Sequence, residues 1–256
     1  MTSSYESPCP PGQSPAERSR PKPVDGVWVV MLAAGSGSRF GRAKQFERIG
    51  KHTMLTHALL AAGQVAGGIV VVLPAQDARL RPAPAAASAE FPAALGLPGT
   101  PGCPVVCVAG GEQRADSVRA ALAAIPAEAG IIVVADSSHP LASPALYRRV
   151  VDAVRDGSAD AALPGLALTE VIATVQDGVR TGGLPRAGHV LAQTPQAFRA
   201  DVLRAAHAAA PAVTEDSALV ADHGARVVVV PGEERNIHVT TVQELEMARA
   251  LARAPV

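Results

Sequence analysis

An alternation of buried-type strands with helical segments constrains the fold of this chain more than any other feature. The run Val27–Leu32 is continuously apolar and rich in β-branched residues, which is typical of a strand covered on both faces. A Gly/Ser loop, a helical pattern from about Met54 to Gln64 and a second buried-type run, Ile69–Leu73, follow it. This order predicts an α/β fold with a doubly wound, mostly parallel, Rossmann-like sheet.

Two further runs, Val105–Ala109 and Ile131–Ala135, read as additional strands of the same sheet. Ligands of such sheets bind beyond the carboxyl ends of the parallel strands. The sequence therefore predicts a site after Leu32, Ala109 and Ala135.

Capping residues predict where several helices begin. Asp116 is placed as an N-cap, and Ser143–Pro144 as the N-cap and first residue of a helix that reaches about Arg155. The remaining predicted elements are a helix from Ala200, a helix from Thr214, a strand Val227–Val230 and a last helix that opens with a Thr241/Glu244 capping box.

Three segments fall outside this pattern. Residues 1–25 are rich in Ser, Pro and charge, lack the apolar stretch of a secretory signal, and are predicted to form a disordered tail before a domain spanning 26–256. The Ala/Pro stretch Arg79–Pro104 reads as a partly helical surface excursion. Short β-prone pieces at Val171–Val175 and Val179–Leu184 predict a hairpin arm at about 166–186.

Composition and charge exclude several function classes. With 23 basic and 23 acidic residues the formal net charge is zero, so no global field would hold nucleic acid or an anionic membrane. Aromatic residues make up only 3% of the chain, which argues against recognition of single strands by stacking. Cys9, Cys103 and Cys107 lack metal-ligand spacing, and we predict a reduced, cytoplasmic chain.

The loop after the first strand carries the strongest functional signal. Its small residues let the backbone approach a phosphate closely and point N–H groups at it, and Arg39 and Lys44 add full charges. Neither the Walker pattern nor a complete GxGxxG is present, and the glycines alone are also compatible with a structural turn. We predict a polyphosphate cradle with Arg39 and Lys44 as catalytic residues. Its backbone part consists of Ala33, Ala34, Gly35, Ser36 and Gly37.

This loop resembles the LAAGxGxRxG…PKQ signature of nucleotidyltransferases that activate sugar and polyol phosphates. It most resembles the 2-C-methyl-D-erythritol 4-phosphate cytidylyltransferase family of the non-mevalonate isoprenoid pathway. Later segments, as far as about Ala252, are similar to that family's motifs in the same order. They are Gly110–Val118 (GGxxRxxSV), Asp136–Pro140 (HDAARP), Gln193–Phe198 (QTPQxF), Thr214–Ser217 (TDDA) and Asn236–Thr240 (NxKxT).

The resemblance implies attack of a phosphate monoester on the α-phosphorus of CTP with release of pyrophosphate, by a homodimer joined through the arm. It also implies that Gly110, Gly111, Glu112 and Ser117 surround the cytosine base and that Asp136–Ser137 lie at the nucleotide. Asp136 follows a predicted strand and is placed to hold Mg²⁺ with the phosphates, because this cation prefers carboxylate and phosphate oxygens. A lone Asp there is also compatible with a turn or helix cap.

Departures from the family motifs concentrate on the acceptor side. Ala135 and His139 replace the family's His and Arg, His238 replaces a Lys, and Glu170–Ala173 lacks the Thr and Lys of its DTxK segment. Arg186 keeps its spacing, and in the family this arginine reaches across the dimer. We therefore expect His139, Glu170, Arg186 and His238 to bind the acceptor.

Three alternatives stay open at this stage. The acceptor could be another polyol phosphate such as ribitol 5-phosphate, because the substitutions fall on that side. A non-catalytic nucleotide-binding paralogue is a second reading. An NAD-dependent Rossmann enzyme is a third, disfavoured by the missing glycine and by Arg39 inside the loop.

Overall fold

The computed structural model describes residues 24–35, 40–41, 43–77, 103–209 and 215–254. Most of the predicted tail, the excursion up to residue 102, and Ser36, Gly37 and Arg39 of the first loop lie outside the described residues.

The described strands and helices follow the predicted alternation. The strands are β1 (Val24–Leu32), β2 (Arg48–Ile49), β3 (His52–Thr53), β4 (Ala66–Leu73), β5 (Val105–Ala109), β6 (Ile131–Asp136), β7 (Ala161–Ala167), β8 (Ile172–Gln176), β9 (Val179–Leu184), β10 (Val190–Ala192), β11 (Gln196–Arg199) and β12 (Val227–Pro231). The α-helices are α1 (Met54–Ala62), α2 (Arg114–Ala124), α3 (Pro144–Arg155), α4 (Ala200–Ala209), α5 (Asp216–Asp222) and α6 (Val242–Arg253), and a short 3₁₀ helix spans Lys44–Phe46.

The main sheet is mixed but mostly parallel around its centre, which confirms the predicted fold class. Its strand order is β10-β7-β11-β6-β1-β4-β5, with β12 paired to β7. β1 runs parallel to both β4 and β6, and β4 runs parallel to β5, whereas β11 is antiparallel to β6 and β7. The chain builds β4 and β5 on one side of β1 and then returns to place β6 on the other. The crevice at such a switch point is where these sheets bind ligands.

Helices cover both faces of the sheet, which explains the continuous apolar run in β1. Val29 and Met31 face a core shared with α1 and α3, while Val30 and Leu32 face a core shared with α2, α4 and α5. Successive side chains of a strand point to opposite faces, so a strand buried on both sides needs no polar alternation.

The helix starts are predicted correctly where a hydroxyl caps them. Ser143 accepts a hydrogen bond from the Leu146 backbone N–H at 3.1 Å, and Thr241 with Glu244 forms the expected capping box of α6. The capping box satisfies backbone N–H groups that have no partner within the helix.

Two helix starts are wrong in the sequence prediction. α2 begins at Arg114 with Gln113 as its N-cap, and Asp116 lies in the first turn, where its carboxylate accepts the Gln113 N–H at 3.1 Å. An acidic residue can cap a helix either from the position before its first turn or from the third helical position. The sequence prediction placed Asp116 at the first of these positions, whereas it occupies the second. α5 begins at Asp216 with Glu215 as its N-cap, so Thr214, which lies outside the described residues, is not the cap.

The antiparallel hairpin β8–β9 occupies the predicted arm and forms a separate two-stranded sheet. Its turn places Asp177 and Gly178 at positive φ, which glycine adopts at no steric cost. Strands β10 and β11 were not predicted, because they are short and carry no clear alternation. No described helix has both the length and the apolarity needed to cross a bilayer.

Candidate active site

A cleft of about 980 Å³ opens where β1, β5 and β6 end, at the edge of the sheet where the sequence predicts a site. This volume lies near the top of the range of about 300–1,000 Å³ for ligand pockets. The predicted site residues that line it are Ala34, Gly35, Gly110, Gly111, Glu112, Ser117, Asp136, His139 and His238.

The first loop enters the cleft through Ala34 and Gly35. Ala33 does not, because its N–H bonds to the Val72 carbonyl at 2.9 Å and extends the β1–β4 pairing by one residue. Its N–H is therefore not available to a phosphate, and its place in the nucleotide site stays a prediction. Ser36, Gly37 and Arg39 lie outside the described residues, so their assignment stays a prediction.

The loop after β5 approaches the first loop so closely that it requires glycine. A Cβ atom on Gly110 would overlap the Cβ of Ala34 and lie 3.0 Å from Ser117 Oγ. Ser117 Oγ in turn accepts the Gly111 N–H at 3.2 Å and donates to the Gln113 carbonyl at 3.3 Å. The hydroxyl thus holds the loop in shape at the N-terminus of α2, in addition to lining the cleft.

Asp136 ends β6 and lines the cleft, with its backbone N–H bonded to Thr194 Oγ1 at 3.2 Å. Ser137 does not line the cleft: it is buried, and its N–H bonds to the Leu32 carbonyl at 3.0 Å. Its backbone N–H continues the β6–β1 pairing, so only its other atoms are available to a ligand, and its nucleotide-binding role stays a prediction.

The donor set at this position fits the predicted Mg²⁺. Mg²⁺ is usually held by one or two carboxylates together with water and substrate phosphates. The described residues contain no group of three or more His, Cys, Asp or Glu side chains able to hold a metal by themselves. Asp136 would then supply one protein ligand, leaving the other positions to phosphate and water.

His139 and His238 form a stacked pair in the wall of the cleft, with ring centroids 4.8 Å apart and planes inclined by 10°. Burial lowers the pKa of His139, and nearby Lys44 adds to the effect, although Asp136 and the Asn236 carbonyl oppose it. Burial, His139 and Lys44 lower the pKa of His238 to about 4. Both rings are therefore neutral at neutral pH, so they add no fixed charge to the acceptor side.

Lys44 lies beside these histidines and is not part of the cleft lining. Its Nζ donates a hydrogen bond to the Val239 carbonyl at 2.8 Å, which ties the 3₁₀ helix to the segment that carries His238. The structure thus places the Lys44 ammonium near the acceptor side. Its catalytic role stays a prediction.

Glu170 and Arg186 are exposed at the base of the arm and do not line this chain's cleft. The Arg186 guanidinium donates to the Thr169 carbonyl at 3.1 Å. Their acceptor-binding roles stay predictions. A role for Arg186 in the cleft of a second copy stays a prediction.

The sequence prediction gave no role to a group of buried amides that the structure brings to the cleft. Gln193 Nε2 donates to the carbonyls of Glu233 and Asn236 at 2.9 and 3.0 Å, and its Oε1 accepts the Glu233 N–H at 3.0 Å. Asn236 Nδ2 donates to the Thr194 carbonyl at 2.8 Å. These bonds fix the segment that carries His238 against β11. The QTPQ motif was the sequence feature that could have indicated these contacts. Buried glutamine side chains need hydrogen-bond partners, so the motif points to a polar network.

Arg114 was also missed as a site residue. It is the only lysine or arginine among the described residues that line the cleft. Its guanidinium pairs with the Asp216 carboxylate at 2.5 Å. The two residues are 102 positions apart in the chain, so no local pattern could have joined them.

Comparisons with known proteins agree with this arrangement. Residues 27–254 match the family described as IspD, 2-C-methyl-D-erythritol 4-phosphate cytidylyltransferase. The protein of that name from Rhodococcus jostii is 40% identical over 232 residues, which cover 88% of this chain and 94% of the relative. The bifunctional enzyme IspD/IspF of Anaeromyxobacter dehalogenans is 42% identical over 89% of this chain, which spans only 57% of that relative's length.

Among solved structures, the crystal structure of 2-C-methyl-D-erythritol 4-phosphate cytidylyltransferase from Thermus thermophilus superposes with a TM-score of 0.70 at 28% identity. The match covers 88% of this chain and 98% of that one. The family that the motifs predicted is confirmed by both sequence and fold. The chain belongs to the 2-C-methyl-D-erythritol 4-phosphate cytidylyltransferase (IspD) family.

Proposed function

We propose that this chain transfers CMP from CTP to 2-C-methyl-D-erythritol 4-phosphate and releases pyrophosphate. One observation carries the proposal: the backbone of Ala34–Gly35, the Gly110–Gly111 loop and the Asp136 carboxylate converge on one cleft in a chain that matches the family from 27 to 254. The cleft lies beyond the carboxyl ends of parallel strands, where nucleotides bind in such folds.

The proposed reaction requires alignment of the substrates and stabilisation of charge, and it needs no general base. The attacking group is a phosphate monoester, whose second pKa of about 6 leaves it largely ionised at neutral pH. The chain must hold this oxygen in line with the α-phosphorus and stabilise the charge that develops there. We assign the first task to the walls of the cleft and the second to Arg39 and Lys44. Mg²⁺ held by Asp136 would add positive charge at the phosphate oxygens.

Pyrophosphate release tests the proposal directly. The full chain is incubated with CTP, Mg²⁺ and a panel of polyol phosphates that includes 2-C-methyl-D-erythritol 4-phosphate and ribitol 5-phosphate. We expect release with the methylerythritol phosphate. Release only with another acceptor would keep cytidylyl transfer and reassign the acceptor. CTP binding without release for any acceptor would instead identify a non-catalytic nucleotide-binding protein.

The neutral histidine pair should bind the phosphate of the acceptor more weakly than the lysine of the family motif would. Replacing His238 by lysine restores the fixed cation of that motif beside Lys44 and His139. We expect His238→Lys to lower the KM for 2-C-methyl-D-erythritol 4-phosphate by about tenfold, because a charge-assisted hydrogen bond to phosphate is stronger than one from a neutral ring. The KM for CTP should stay unchanged in the same assay.

His223→Lys is the matched control for His238→Lys, since it adds the same charge on an exposed residue after α5 that does not line the cleft. An unchanged KM for the acceptor in His238→Lys would show that His238 does not face the acceptor phosphate.

We further propose a homodimer built through the arm. The hairpin exposes Val171, Val175, Val179 and Leu184, with exposed fractions between 48% and 70%, and Leu191 on neighbouring β10 is 54% exposed. Apolar residues grouped on one small hairpin mark an interaction surface. A second copy is the occupant that the family resemblance implies, and it would bring Arg186 towards the partner's cleft.

The dimer is tested by sedimentation velocity. We expect the chain to sediment as a dimer and the double variant Val179→Glu/Leu184→Glu to sediment as a monomer, because both side chains share one face of the hairpin and two buried charges there cannot be desolvated without partners. Met247→Glu on α6 changes an equally exposed apolar residue outside the arm and should remain dimeric. A monodisperse monomer of the unchanged chain would contradict the proposal.

We also propose a cytoplasmic location. The buried Cys103 is a free thiol, which supports a reducing compartment.

A further inference from the structure

A buried chain of polar contacts leads from the cleft to a histidine behind it. Arg114 at the start of α2 pairs with Asp216 Oδ2 at 2.5 Å, and Asp216 Oδ1 lies 2.8 Å from His207 Nε2 on α4. The side chains of Asp216 and His207 are only 1% and 2% exposed, whereas that of Arg114 is 28% exposed and lines the cleft. Three helices thus meet at one carboxylate that reaches no solvent.

The charges around this carboxylate favour its ionised form. Burial alone would raise the pKa of Asp216, but the hydrogen bond from His207 and the charge of Arg114 outweigh it, so the pKa lies below its ordinary value. An ionised carboxylate only accepts hydrogen bonds, so His207 Nε2 carries the proton and donates it. Asp216 therefore has one donor on each oxygen.

Removing the His207 donor should change how Asp216 holds Arg114. A buried carboxylate that loses a partner must shift towards a replacement, admit water or take up a proton, since an unpaired buried charge is costly. Each of these changes moves or weakens the contact that fixes the Arg114 guanidinium at one position. A pre-organised guanidinium binds an anion better than one that must be ordered on binding.

We propose that His207 is a positioning residue for nucleotide binding: through Asp216 it holds the Arg114 guanidinium in the wall of the cleft, where Arg114 contacts bound CTP. The proposal rests on the proposed function for the identity of the nucleotide. The positioning role itself is based on two observations: the geometry of the three side chains, and the place of Arg114 as the sole lysine or arginine among the described residues that line the cleft.

Calorimetric titration with CTP and Mg²⁺ tests this in a double-variant cycle. We expect His207→Leu to raise the Kd for CTP about fivefold, the cost of ordering one long side chain on binding, because Arg114 would no longer be pre-organised. In the Arg114→Gln background the same substitution should change the Kd less than about twofold, because residues that act through each other are not additive. An equal effect in both backgrounds, or none in the unchanged chain, would overturn the proposal.

Two further variants distinguish positioning of Arg114 by His207 from a general loss of packing around His207. His207→Gln can present an amide N–H near the place of Nε2 and should restore the Kd to within about twofold of the unchanged chain. A Kd as weak as that of His207→Leu would contradict the role of the hydrogen bond. His223→Gln alters a histidine whose Nδ1 contacts the Leu219 carbonyl on α5 at 2.9 Å, and it should leave the Kd unchanged.

Melting temperatures of all variants show that the fold is retained, and His207→Asn replaces His207→Leu if the latter does not fold. If the unchanged chain binds CTP and catalyses the transfer, but the effects of the His207 and Arg114 substitutions on the Kd are additive, only the positioning role fails. If the unchanged chain does not bind CTP, the proposed function fails with it.

Discussion

Lys44→Ala should lower turnover about a hundredfold or more, the loss typical when a group that stabilises transition-state charge is removed. The structure holds the Lys44 ammonium beside His139 and His238 through its bond to the Val239 carbonyl, so the charge is fixed behind the wall of the cleft that these histidines form. Because both rings are neutral at neutral pH, they cannot replace it. Steady-state kinetics with saturating CTP and acceptor measure the effect as a change in kcat.

Lys51→Ala is the matched control for Lys44→Ala. The chain has lysine only at Lys22, Lys44 and Lys51, and Lys51 lies exposed in the turn between β2 and β3. Its removal should leave kcat unchanged, whereas Lys44→Ala should keep the fold with a small loss of stability from the missing bond to Val239. Near-normal turnover of Lys44→Ala would remove this lysine from the mechanism.

Asp136→Asn should also lower kcat about a hundredfold or more at a fixed Mg²⁺ concentration, since a neutral amide is a poor ligand for a hard cation. The substitution keeps the shape of the side chain and the backbone bond to Thr194, so the end of β6 should be preserved. Titrating Mg²⁺ at saturating CTP checks the cause: the variant should need more Mg²⁺ for half-maximal rate.

Asp152→Asn provides the comparison for Asp136→Asn. Asp152 is exposed on α3, where it pairs with Arg155 at 2.8 Å, and its loss should change neither kcat nor the Mg²⁺ requirement. If Asp136→Asn kept the same Mg²⁺ dependence as the unchanged chain, Asp136 would not be a metal ligand.

The central strands were predictable from the sequence because both of their faces are buried. β6 extends only one residue beyond its predicted end, to Asp136, and the predicted ends of β1 and β4, Leu32 and Leu73, are the observed ones. In such strands every side chain is apolar, so composition alone locates them. β10 and β11 were missed because a strand of three or four residues leaves no pattern to detect.

The atoms that a site residue offers to a ligand could not be predicted where its backbone also completes the sheet. Ala33 and Ser137 stand in the right loops, but their N–H groups complete the pairing of the sheet, which no sequence pattern reveals. The contact between Arg114 and Asp216 depends on how α2 and α5 pack, and the histidine pair depends on two segments about a hundred residues apart. The motifs located these segments in the sequence, whereas the contacts between their side chains are visible only in the structure.

The bonds of Gln193 to Glu233 and Asn236 tie the segment that carries His238 to β11, while Gly110 and Ala34 pack at the ends of β5 and β1. The two walls of the cleft therefore belong to different halves of the sheet. Under the proposed function, mutations that alter the choice of acceptor can accumulate in one half without disturbing recognition of the cytidine donor in the other, which gives members of the family a route to new products from an unchanged donor.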